Sequence, residues 1–156
     1  MQKTQKTQKL TANQYLSQAL LADREINRKI DRLADLYAAC TRSTTMLTQA
    51  PGGGYDSRSF ERRMEKYILL RDEINADIDA LVDLKTEIMK VIDAVPDEDC
   101  RCVLEKYYLQ GRTLRTIGEE IGYDKDYVFQ LKRKALSMVQ IPESSLLISM
   151  NLYTTV

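Results

Sequence analysis

Apolar side chains recur along the first 95 residues of the chain at alternating steps of three and four. From Thr11 to Thr45 they are Leu16, Ala19, Ile26, Ile30, Leu33, Tyr37 and Cys40, interrupted by Asp23. That spacing places them on one stripe of a helix, the seam of a coiled coil, with Arg24, Glu25, Arg28, Lys29, Asp31 and Arg32 on the other faces. The Thr11 hydroxyl is suited to accept from an orphan amide of the first turn. The run Gln49-Ala50-Pro51-Gly52-Gly53-Gly54-Tyr55-Asp56-Ser57 then ends the helix, because Pro lacks the amide and Gly loses too much entropy, predicting a loop near 49–58. From Ser59 to Ala94 the pattern resumes with Phe60, Met64, Tyr67, Ile74, Ile78, Leu81, Ile88, Ile92 and Val95, interrupted by Arg71 and Lys85. Two such helices joined by a short loop fold back as an antiparallel, coiled-coil-like hairpin, or pair between two chains as a homodimer. Asp23, Arg71 and Lys85 weaken such a seam and can fix its register.

Pro96 stops the second helix, and Asp97 is a cap for a short third one carrying Val103, Leu104, Tyr107 and Tyr108 and ending near Gly111. Between Thr113 and Leu136 the pattern is more demanding. Thr113 caps a helix over Leu114–Ile121. Gly122 sits where a tight turn needs a left-handed backbone, and Asp124 caps a helix from Lys125 to about Gln140. A helix-turn-helix needs a small residue where its helices cross (Gly118) and Gly at the turn four positions on. It also needs apolar residues six and nine positions later, here Val128 and Leu131. All four are present. The same positions would also serve a plain three-helix bundle or a protein contact.

Charge sharpens this picture only when read by position. The 23 basic and 23 acidic residues cancel, so the total does not advertise a nucleic-acid partner. Locally, however, Arg112, Arg115, Lys125, Lys132, Arg133 and Lys134 surround the turn and the last helix, where they can pair with phosphates. Thr113 lies among them. Lys125, Asp126, Phe129 and Gln130 fall on the outward face near the helix start. There Gln130 can read adenine through two hydrogen bonds and Phe129 can meet a thymine methyl.

Other chemistry is thinly represented. The chain has no His, which removes the commonest general base and the usual Ser–His and Cys–His pairs. No Gly-Lys-Ser/Thr follows the triple glycine, and no G-x-S-x-G elbow occurs. Neither a catalytic site nor a cofactor is expected. Cys40, Cys100 and Cys102 lack further ligands for a zinc tetrahedron and read as buried thiols rather than a metal site. No apolar run approaches the roughly 20 residues that cross a bilayer, and the polar Gln-Lys-Thr start resembles no signal peptide. The expected location is the cytoplasm, with no membrane partner.

The segment Val103-Leu104 through Tyr108-Leu109-Gln110-Gly111-Arg112-Thr113-Leu114, followed by Ile117, Gly122 and Val128 to Leu136, resembles region four of bacterial sigma factors. In that family the equivalent helix-turn-helix reads a promoter's upstream element. Over about residues 10–140, including Asp79 to Met89 and the Pro/Gly break, the chain is similar to small sigma-like regulators of prophages in Gram-positive bacteria. It departs from the sigma pattern at Gly118, where Ala is usual, at Tyr107, where a basic residue is usual, and at Phe129, where Arg is common. No segment for melting the downstream promoter element is recognisable, so a complete sigma factor is not implied.

These readings predict an all-α chain in four parts: a polar tail over 1–10, a helical hairpin over 11–95, a sigma region four-like helix-turn-helix over 96–141, and a tail over 142–156 of no assigned role. The expected function is sequence-specific binding of duplex DNA as a phage-derived transcriptional regulator, the hairpin contacting RNA polymerase or a second copy. The competing expectation is an interaction module that binds polymerase or another regulator without touching DNA.

Overall fold

The computed structural model describes residues 10–47 and 57–143, with side chains of 43–47 excepted. The polar start over 1–9, most of the Pro/Gly loop and most of the tail over 142–156 lie outside the described residues. Within them the chain is all-helical and has no strand. Its elements are α1 (Ala12–Leu47), α2 (Ser57–Asp93), α3 (Glu98–Leu104), α4 (Leu114–Ile121) and α5 (Lys125–Met138). A π-helical turn, Glu105–Leu109, extends α3. The last helix ends two residues before the expected Gln140, and α2 starts two residues before the expected Ser59.

Each boundary has a local cause. The Thr11 hydroxyl accepts from the Gln14 amide at 3.2 Å, and the Gln14 side chain returns an acceptor to the Thr11 amide at 3.0 Å. This reciprocal capping box satisfies two orphan donors at the start of α1. Pro96 follows α2, and Asp97 caps α3 through the Cys100 amide. Arg101 fastens this junction by donating to the Val95 carbonyl at 2.7 Å.

Contacts divide the chain into two compact units, and both long helices run through the boundary. One unit holds residues up to Leu21 together with those from Asp83 onward; the other spans Ala22–Val82. The first has an ordinary core. Leu16 and Ala19 of α1, Ile88 and Ile92 of α2, and Val103, Leu104, Tyr108, Ile117 and Val128 from the C-terminal helices are each no more than 1% exposed. Full burial of such a side chain stabilises by about 1.5–3 kcal/mol. The Tyr108 hydroxyl donates to the Asn13 side-chain oxygen, tying the first turn of α1 to the π turn. Burial pushes the Tyr108 hydroxyl's pKa well up, so it remains a donor.

The second unit is thinner. Its buried apolar residues are Ile26 and Cys40 on α1 and Ile74 and Leu81 on α2. Tyr37 meets Tyr67 with ring centroids 6.0 Å apart. Lys29, largely covered, donates to Glu73 and Asp77, both at 2.5 Å. Of the expected seam, Ile30, Tyr37 and Ile78 are instead exposed.

Candidate nucleic-acid interface

The last two helices are set by three short-range devices. Thr113 caps α4 by accepting from the Thr116 amide at 3.2 Å, and its hydroxyl also meets that of Thr116 at 2.9 Å. At the other end the Gly118 carbonyl accepts from the Gly122 and Tyr123 amides, both at 2.9 Å. Gly122 adopts φ 80°, the left-handed region that favours glycine. Asp124 then caps α5 through the Tyr127 amide at 2.8 Å. Gly118 is buried, and a β-carbon built on it would stand 2.4 Å from the Tyr123 carbonyl oxygen. That close backbone approach lets Val128, Leu131 and Ala135 of α5 reach the core beside Ile117.

The six basic residues expected around this pair of helices have different surroundings. Arg112 donates to Glu120 at 2.8 Å, and Lys106 reaches the same carboxylate at 2.6 Å. Hydrogen bonding from Lys106, aided by the charge of Arg112, holds the Glu120 carboxyl below its ordinary pKa. Arg115 pairs with Glu119 one turn on, at 3.2 Å. Lys134 donates to Asp97 at 2.7 Å, joining the middle of α5 to the cap of α3. That bond and the Cys100 amide lower the Asp97 pKa, and the Lys134 pKa rises in turn. Lys132 lies half-buried over the Tyr107 ring, 3.8 Å from its centroid, a cation–π contact. Lys125 and Arg133 are exposed and make no such contact among the described residues.

With these two cations, Asp126, Phe129 and Gln130 make up the outward side of α5. All are exposed, and the three latter side chains are not engaged in hydrogen bonds within the described residues. Asp126, Gln130 and Arg133 follow one another at steps of four and three, on one face. Thr113 is exposed too, though its hydroxyl already serves as a cap.

Three features escaped the sequence pattern. Tyr123 and Tyr127, four apart across the Asp124 cap, pack with centroids 4.6 Å apart and stay about two-fifths exposed at 41% and 42%. Beside Phe129, they make the start of α5 aromatic. Glu120 neutralises two cations, which only the fold brings to it. Tyr107 supplies the platform for Lys132 where a basic residue is usual in sigma region four. The i, i+4 tyrosine spacing was the available sequence signal for the first of these.

Cys40 and Cys100 are buried and Cys102 half-buried, all as free thiols. Among the described residues no cluster of Cys, Asp and Glu is placed to hold a metal ion, and no helix is long and apolar enough to cross a membrane. Compared with known proteins, the chain matches no family model, no curated protein and no solved structure.

Proposed function

We propose that the chain binds duplex DNA through a helix-turn-helix made by α4 and α5, and that it serves as a transcriptional regulator resembling the sigma-like proteins of prophages. The observation that carries this reading is the side of α5 just described. Gln130 offers a paired donor and acceptor, Asp126 an acceptor for a cytosine amino group, and Phe129 an apolar contact for a thymine methyl. Lys125 and Arg133 border them with unpaired charge for phosphates. The close approach at Gly118, the left-handed Gly122 and the buried Val128 and Leu131 support the motif's geometry.

In this reading α1 and α2 form an antiparallel hairpin. Residues 29 and 73–77, and 37 and 67, pair so that one number rises as the other falls. The hairpin is the arm through which the regulator contacts RNA polymerase or a second copy.

Mobility-shift measurement with random-sequence duplex at two salt concentrations tests the proposal. Binding at low salt that weakens at high salt is expected; its absence at low salt would refute DNA binding. A protein-interaction module is the second reading. It is favoured by the pairing of Arg112, Arg115 and Lys134 with carboxylates, and by the exposed Tyr123, Tyr127 and Phe129. Aromatic side chains are enriched at protein interfaces, and paired cations are less available to phosphates.

A further inference from the structure

Each long helix carries two neighbouring heptad stripes. On α1 one stripe is Ala19, Ile26, Leu33 and Cys40, and the other is Leu16, Asp23, Ile30 and Tyr37. On α2 the first runs through Tyr67, Ile74, Leu81 and Ile88, and the second through Met64, Arg71, Ile78, Lys85 and Ile92. The first stripe of each helix is buried or half-buried throughout. The second behaves differently in the two units. In the unit with the C-terminal helices, Leu16 is 0% and Ile92 1% exposed. In the Ala22–Val82 unit, Ile30 is 43%, Tyr37 58% and Ile78 39% exposed, and Val82, one turn beyond Ile78, is 57% exposed.

These bare positions share one side of the unit. The Tyr37–Tyr67 contact lies on the edge of the first stripes next to them, whereas Lys29 with Glu73 and Asp77 closes the opposite edge. Of the ten exposed large apolar side chains, six belong to this unit, which buries only four apolar residues in return. Two helices alone thus leave half of a core unfilled.

We infer that a second copy of this chain covers that side, pairing two hairpins into a four-helix bundle. Two observations select this occupant. The side is balanced in charge: Asp23 on α1 and Arg71 on α2 are its exposed charged members, of opposite sign. A face with one acid and one base is complementary to itself, whereas a partner of uniform charge would leave one of them unmatched. Its size also suffices. From Met64 to Val82 at 1.5 Å per residue, across two helices about 10 Å wide, the footprint is on the order of 25 by 20 Å. With side-chain relief this reaches the several hundred Å² per partner of a stable dimer. The inference rests on the hairpin reading but not on DNA binding.

Sedimentation equilibrium of the full chain, without DNA, over a wide range of concentration tests it. A reversible dimer is expected, and Ile30→Glu with Ile78→Glu should yield a monomer whose circular dichroism remains helical. The charge pair gives an independent check that spares the core. Asp23→Arg should weaken the dimer about tenfold, and Asp23→Arg with Arg71→Asp should restore it. A wild-type monomer at every concentration overturns the inference. So does a dimer unmoved by the double Glu variant, or one that the single charge reversal leaves at full strength. Mobility shift on the monomeric variant reads DNA binding separately, so one proposal can fail without the other.

Discussion

Gly118 lies directly beneath the carbonyl of Tyr123, so close that a β-carbon on the former would stand 2.4 Å from the oxygen of the latter. The oxygen belongs to the backbone and cannot swing aside. Gly118→Ala should therefore destabilise the chain by about 1–3 kcal/mol, by the overpacking that follows when atoms are forced into a filled space. Gly122→Ala faces open space and carries only the penalty of its φ of 80°, about 1 kcal/mol. Urea midpoints of the two variants should rank in that order; the reverse ranking would contradict the close approach.

If the α5 surface binds DNA, its salt dependence should be shallow. Only Lys125 and Arg133 of the six basic residues lack an intramolecular partner among the described residues. Two phosphate contacts give a slope of about −2 in the logarithm of affinity against the logarithm of salt. Arg133→Ala should flatten it by about 1 on every sequence. A slope several times steeper would mean that Arg112, Arg115 or Lys134 leave their carboxylates on binding.

Gln130→Ala should change preference at one base pair, with a cost of about 1–3 kcal/mol on the preferred sequence and little on others. Selection of bound sites from a random duplex pool, run with both proteins, provides the comparison. An equal loss on all sequences would remove Gln130 from base reading.

The Asp97–Lys134 pair gives stability a defined pH window. The folded Asp97 pKa is lowered by Lys134 and the Cys100 amide, so its contribution is present above the ordinary carboxylate range and is lost as pH falls through the lowered value. The folded Lys134 pKa is raised, so its contribution holds below the ordinary lysine range and disappears as pH rises through the raised value. Stability from this pair should thus decline below about pH 4 and above about pH 10. Asp97→Asn keeps a side-chain acceptor for the Cys100 amide but not the charge. Its urea midpoint should vary less with acid than that of the wild type.

Gln18 is a fourth place where a substitution has a clear sign. It is buried at 6% exposure, and neither its amide nitrogen nor its oxygen finds a partner. Gln18→Leu should raise stability by about 1–3 kcal/mol, since an unsatisfied buried amide is replaced by an apolar group of similar size. A lower melting temperature in the variant would show that the amide is satisfied.

Local signals were readable in the chain and remote ones were not. Thr11, Asp97, Thr113 and Asp124 cap the helices they precede because capping depends on residues two or three apart. Gly122 adopts the positive φ expected of it, and Val128 and Leu131 are buried at the expected offsets. The heptad pattern failed more subtly. Alternating steps of three and four merge two adjacent stripes, and nothing in the spacing tells which one a neighbour will cover. Ile30 and Tyr37 were therefore assigned to the same seam as Ile26 and Cys40, yet they are exposed. The charges around α5 were found, but their pairing was not. Lys106 and Arg112 meet Glu120, and Lys134 meets Asp97 across 37 residues, only because the helices pack.

The π turn over Glu105–Leu109 has a consequence for how the sequence can change. Such a turn holds one residue more than an α-helical turn of the same span, and it closes with the Arg112 amide on the Lys106 carbonyl at 2.9 Å. Adjacent Tyr107 and Tyr108 both find inward work there, one beneath Lys132 and one against Asn13. Removing a single residue would restore a regular helix but turn everything after the cut by about 100° relative to everything before it. Length variation elsewhere in the connections can be absorbed by loops; in this turn, the reading frame of the fold itself is counted.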